Sequence, residues 1–187
     1  LPEEGIPCLD LPLTLNVEGR ANDKQIGWDG RQDMSIRLLR GNNNQLDYTA
    51  VSEIITPNAD AMRKAPLQYT TLNPEDFDLL TYQDLLPRTK DLAHSITDKF
   101  DNAYDKAVAL QTFLSGREFL YTLNLPALPP EHAIDSFIND VRMGHCEFFA
   151  SAMALMLRSL GIPTRVVSGY RGGEWSEGAG AFIVRQS

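Results

Sequence analysis

Along residues 9–17 an apolar side chain takes every second position (Leu9, Leu11, Leu13, Leu15, Val17), with polar residues or proline between. A period of two turns one face inward and predicts a β-strand. Pro12 has no N–H to give a ladder, which marks that strand as an edge. Gly27-Trp28-Asp29-Gly30 and Gly41-Asn42-Asn43-Asn44 read as turns, because glycine and asparagine tolerate positive φ. With the second turn between them, 35–40 and 46–55 read as a hairpin. Residues 1–56 are therefore expected to form a small β-rich subdomain, for support or docking, with no catalytic constellation.

The period changes after a connection marked by Pro57, Pro66 and Pro74. Pro87 is placed to open a helix carrying Leu92, Ile96 and Phe100 at fourfold spacing. Asp101 or Asn102 can cap the next helix, with Ala103, Ala107, Leu110 and Leu114 on one face and Gly116 ending it. Residues 119–125 then read as a strand closed by Pro126, Pro129 and Pro130, and Ile134, Phe137, Ile138 and Val141 mark a short amphipathic helix. From Cys146 onward, Phe149, Ala152, Met153, Met156, Leu157 and Leu160 share one face of a longer helix, which Gly161 and Pro163 stop. The β-branched run 164–170 predicts a strand, the glycine-rich stretch 169–180 a loop, and 181–185 a second strand.

Composition narrows the class. The 187 residues are 43% apolar and 22% charged, enough to bury a core, and the net charge of -8 argues against nucleic acid as a partner. That charge is uneven: 1–56 hold nine acids and five bases, 57–140 thirteen and seven, and 141–187 three and five. Only the last stretch is net positive. Two cysteines, Cys8 and Cys146, are too few for a disulfide scaffold or a cysteine-only zinc site, and no metal or cofactor is expected. The longest apolar run, 148–157, is about half of what a membrane span needs.

Gly144-His145-Cys146-Glu147 puts a thiol where the long helix begins. Unpaired N–H groups and the helix dipole there favour the thiolate, and His145, Arg142 and the local positive balance push the same way. The Cys146 N–H can serve as one donor of an oxyanion hole, and Gly144 leaves the thiol uncrowded. Against this, isolated helical cysteines are commonly buried small hydrophobes, and a Cys8–Cys146 disulfide is a further alternative. A base is harder to find. His145 adjoins Cys146, and helical neighbours point about 100° apart. His94 sits on a charged helix face, and His132, after Pro129-Pro130-Glu131, reads as a turn or cap.

The block Gly144-His145-Cys146-Glu147-Phe148-Phe149-Ala150-Ser151-Ala152, followed by Leu157-Arg158-Ser159-Leu160-Gly161-Ile162-Pro163-Thr164-Arg165-Val166-Val167-Ser168-Gly169-Tyr170, closely resembles the core of the bacterial transglutaminase-like superfamily. Arg171-Gly172-Gly173-Glu174-Trp175 and the strand 181–185 narrow it to the TgpA type of membrane-anchored proteins, and Tyr104-Asp105-Lys106-Ala107 and Phe119-Leu120-Tyr121-Thr122-Leu123 fit that family too. The likeness is dense over 100–187 and weak before residue 45. It implies an α+β, papain-like transglutaminase core over 57–187, its nucleophile helix packed on antiparallel strands, behind the β-rich subdomain. Cys146 matches the nucleophile of a Cys-His-Asp triad. The family histidine and aspartate follow the segment matched by Val184-Arg185-Gln186-Ser187, so the 187 residues are expected to end inside the catalytic domain and to be inactive alone.

The implied chemistry is amide acyl transfer on a protein or peptide, by transamidation, deamidation or peptide hydrolysis, on the periplasmic or extracellular side. The membrane would be reached through segments outside this chain. A non-catalytic binding or scaffold module of the same fold is the alternative, and a cysteine acyltransferase using an acyl carrier stands behind it. Trp175 and Tyr170, in or beside the glycine-rich loop, are candidate substrate-cleft aromatics. Glu147 reads as a first-turn carboxylate set against the helix dipole.

Overall fold

The structure, a computed structural model, describes residues 11–18, 26–29, 35–38, 47–53, 58–67, 80–82, 85–125, 128–167 and 174–183. Tyr170, Cys8, Leu9 and the Gly41-Asn42-Asn43-Asn44 turn lie outside them. The chain divides into two units, Leu1–Thr56 with Ser168–Ser187, and Pro57–Val167. Residues 168–187, assigned to the core from sequence, thus group with the β-rich stretch.

In the first unit β1 (Leu11–Glu18) pairs antiparallel with β4 (Asp47–Glu53), and β2 (Ile26–Asp29) with β3 (Ser35–Leu38). The β1–β4 register shifts between Pro12 and Thr14, so the ladder is interrupted beside the residue that cannot donate to it. Two expectations are corrected here. Gly27-Trp28-Asp29 is strand rather than turn, and the hairpin joins β3 to β2 rather than to β4. The register sets Ile26 opposite Leu38 and Trp28 opposite Ile36, and Leu15 opposite Ala50 and Val17 opposite Tyr48; such pairings are made across the chain, and turn residues alone do not specify them. β7 (Glu174–Ser176) and β8 (Ala181–Ile183) form a third antiparallel pair, with Trp175 opposite Phe182, so part of the expected 169–180 loop is strand.

The second unit is mainly helical, and its helices are α1 (Ala59–Arg63), α2 (Pro87–Thr97), α3 (Ala103–Leu114), α4 (Ala133–Ser136) and α5 (Cys146–Ser159). Pro87 opens α2 at its first turn, where the missing N–H costs nothing. The Asn102 side-chain oxygen accepts from the Asp105 N–H at 2.8 Å and caps α3. α5 ends in a Schellman motif. Gly161, at φ +76°, lets its own N–H donate to the Arg158 carbonyl (2.9 Å) and the Ile162 N–H to that of Leu157 (3.0 Å). α5 packs against α2, α3 and α4, and Leu110, Phe137, Ile138 and Met156 are completely buried between them.

A polar cluster pins α2 to the α4 segment. Asp135 is fully buried; it accepts from the Thr89 hydroxyl (2.5 Å) and from Arg88 Nε (2.7 Å). Arg88 also forks onto Asp140, and the Asn139 amide donates to Thr89 Oγ1 at 2.6 Å. A buried carboxylate survives in such a place only when paired and hydrogen-bonded.

After α4 the chain widens into a π turn, Phe137–Val141, and reverses at Arg142. The strand expected over 119–125 shrinks to β5 (Leu120–Tyr121), which pairs with β6 (Met143–Gly144). The Asn124 N–H turning back to Thr122 Oγ1 (3.1 Å) ends it. This two-residue ladder beside α5 is parallel. Nor do residues 164–167 form the expected strand: Arg158 takes the Thr164 carbonyl through Nε (3.1 Å) and Nη2 (2.7 Å), and its Nη1 donates to the Thr81 carbonyl (3.2 Å).

Candidate active site

Cys146 is the first residue of α5, and its side chain is exposed. The buried-hydrophobe alternative therefore falls away for this residue. Three features hold the chain that presents it. β6 is laced to β5 by the Leu120 N–H donating to the Arg142 carbonyl (2.8 Å) and the Thr122 N–H to that of Gly144 (2.9 Å). Gly144 is buried, and a Cβ there would stand 2.9 Å from Phe148 Cβ and 3.0 Å from the Phe137 ring. Its bare backbone is thus required by the aromatic packing beneath the loop, a different reason from the open thiol inferred from sequence. Third, extended His145 (φ -100°, ψ -176°) caps the helix, its Nδ1 accepting from the Glu147 N–H at 3.4 Å and its ring meeting Phe148 edge-on.

His145 thus lies before the helix rather than on it, with Nδ1 turned onto the Glu147 N–H. The Cys146 N–H is the first of the backbone donors that open α5.

The other sequence candidates are distributed. His94 is half exposed on α2, its Nδ1 3.7 Å from Asp98. His132 ends a short 3-10 turn (Pro130–His132) at the start of α4, and its buried Nδ1 has no partner among the described residues. The described contacts bring neither to Cys146. Arg142, expected to favour the thiolate, commits its guanidinium to an ion pair with Glu118 and to the Phe119 face, 5.7 Å from the ring centroid. Trp175 is exposed on β7 in the first unit, whereas Cys146 belongs to the second.

Two residues read from sequence as packing take a different place. Tyr121, opposite Gly144, stacks near Phe149 at 6.3 Å and 23°. Both line an open recess of about 230 Å³ together with Leu114, Ser115, Gly116 and Phe119. Phe149 lies three residues along α5 from Cys146, on the same helical face. That spacing, joined to an exposed tyrosine in the adjoining strand, is the signal sequence reasoning passed over. Among the described residues no group of three or more His, Cys, Asp or Glu can hold a metal ion, and no helix is long and apolar enough to cross a membrane.

With the helix that Cys146 opens, its capped loop and the flanking ladder defined, the class follows. Residues 90–186 match the transglutaminase-like superfamily, and the chain belongs to it, with the papain-like α+β fold of that family. It is 32% identical over 180 residues to "Uncharacterized protein YebA" of Bacillus subtilis (strain 168), covering 92% of this chain and 23% of that one. Over 100 residues it is 37% identical to a protein-glutamine gamma-glutamyltransferase of Pseudomonas aeruginosa, covering 54% of this chain and 15% of that one. Two crystal structures of the periplasmic domain of TgpA from the same species, one bound to ethylmercury, superpose with TM-scores of 0.64 and 0.65 at 26% and 25% identity. They cover 95% of this chain and 60% and 58% of those chains. The chain thus spans less than a quarter of either full-length relative.

Proposed function

We propose that this chain is the extracytoplasmic, transglutaminase-like part of a larger membrane-anchored protein, and that Cys146 is the nucleophile of amide acyl transfer. The observation that carries the reading is an exposed thiol at the first position of a capped helix, inside the segment matched to the superfamily. Likeness to a protein-glutamine gamma-glutamyltransferase supports a glutamine carboxamide in a protein as acyl donor. Likeness to periplasmic domains supports the compartment, with the anchor supplied by segments outside these residues.

The Cys146 thiolate attacks the carboxamide carbon, the Cys146 N–H faces the developing oxyanion, and collapse breaks the C–N bond. The departing nitrogen takes a proton from the general acid and leaves as ammonia, giving a thioester. A primary amine then forms a cross-link, or water gives the carboxylate. His94, His132 and His145 do not fill the acid–base role. It falls to the histidine and orienting aspartate that the family places after the segment matched by 184–187. The 187 residues by themselves are proposed to carry a reactive thiol and no turnover. Trp175 and Tyr170 remain proposed cleft aromatics.

Two measurements test this. Iodoacetamide labelling of the Cys146 peptide, followed by mass spectrometry at neutral pH, is expected to outpace that of free cysteine; equal rates would sink the nucleophile. In the full-length protein, a fluorescent primary amine is expected to enter a glutamine-bearing protein, and Cys146→Ala to abolish it. A reactive thiol with no incorporation and no deamidation or cleavage in the full-length protein favours the second reading, a binding module, which the lack of a placed base in these residues keeps open.

A further inference from the structure

Four residues before Cys146 the backbone takes a conformation that L-residues avoid. Arg142 sits at φ 54°, ψ 26°, and among the described residues no other non-glycine has positive φ. Glycine would occupy that left-handed position at no cost, and asparagine at little. An arginine there works against local preference, and its side-chain contacts can offset the strain. The contacts identify what it does. Its N–H closes the π turn on the Phe137 carbonyl (2.9 Å), and its carbonyl receives the Leu120 N–H (2.8 Å). Its guanidinium pairs with Glu118 and lies over Phe119. Both ends of this one residue therefore grip residues 118–120, the entry to β5. From there the β5–β6 register runs to Gly144 and the His145 cap.

We infer that Arg142 is a positioning residue for the nucleophile. Through Glu118 and Phe119 it ties the turn before β6 to the entry of β5, and so fixes where the thiol meets the first N–H groups of α5. This rests on Cys146 being the nucleophile, and it assigns Arg142 no contact with substrate. It also differs in sign from a direct electrostatic role. If the Arg142 charge merely favoured the thiolate, removing Glu118 would unmask that charge and quicken the thiol. If Arg142 positions, removing Glu118 frees the clamp and slows it.

The test compares Cys146 alkylation rates at neutral pH in the whole 187-residue chain carrying Cys8→Ala, with thermal unfolding recorded alongside. Arg142→Gly suits the left-handed backbone, so it is expected to fold at least as stably as wild type while alkylating several-fold more slowly. Glu118→Gln is expected to slow alkylation as well, and Arg142→Lys to keep most of the wild-type rate. A Glu118→Gln chain that reacts faster than wild type, or an Arg142→Gly chain that reacts equally fast, overturns the inference. A wild-type thiol no more reactive than free cysteine overturns instead the reading of Cys146 itself, so the two failures are distinct.

Discussion

At the scale of single residues, Gly144 shows how little room the loop before Cys146 has. Its neighbours are a Cβ rooted in α5 and a ring packed into the core (Phe148 and Phe137), neither of which can swing away. Gly144→Ala is therefore expected to lower unfolding stability by about 1–3 kcal/mol, the usual range for overpacking a filled site. Urea denaturation reads this directly, and an unchanged midpoint would show that the loop yields. Cys146, by contrast, was legible as a helix-opening thiol because capping, glycine and helical periodicity all act within a few residues. The reason for Gly144 and the left-handed turn at Arg142 was not. One depends on rings brought from elsewhere in the chain, and the other on a residue type that carries no turn signal. Only the acidic Glu118, 24 positions upstream, completes that feature, and distance in sequence hides it.

Among the elements, helices and strands part company for the same physical reason. α2, α3 and α5 follow from periodicity with Pro87, Asn102 and Gly161 at their ends, because helical hydrogen bonds close within four residues. Strand partners are chosen across the chain, which is why β2–β3 and β1–β4 could not be read from turn residues alone. The tie between α2 and α4 is likewise non-local, and it has a pH signature. The hydrogen bond from Arg88, then its charge, holds the Asp140 carboxyl below the ordinary carboxylate range. A group whose native value is depressed contributes stability above its unfolded value of about 3.9, and loses it as pH falls through the native value. Acid titration of stability is thus expected to steepen below about pH 4, and Asp140→Asn to flatten that slope. A slope unchanged in the variant removes Asp140 from the account. Arg88→Met is expected to lower the melting temperature more than Asp140→Asn at neutral pH. It strips the cation from Asp135, which is wholly buried, whereas Asp140 is half exposed. The reverse order in thermal melts would show that Thr89 alone suffices for Asp135.

For the molecule as a whole, the boundary of the family match and the boundaries of the two units do not coincide. The match runs over 90–186, yet residues 168–187 group with 1–56. Among the described residues the central hydrophobic cluster, from Ala93 to Ile162, lies within 57–167, as do the polar tie at Asp135 and the Arg142 turn. Fully burying a leucine, phenylalanine or methionine contributes roughly 1.5–3 kcal/mol, and Leu110, Phe137, Ile138 and Met156 are all at zero exposure. The described strands of the other unit, however, pair only in twos, an arrangement that is marginal in water without further packing. Residues 57–167 are therefore expected to fold alone, with a cooperative thermal transition and a helical circular dichroism signal, whereas 1–56 alone is expected to give no cooperative melt. A helical piece without a transition would mean that α5 depends on residues from 1–56 or 168–187 for its packing. In that event the reactive thiol expected of Cys146 would appear only in the longer chain, and alkylation of both lengths would show it.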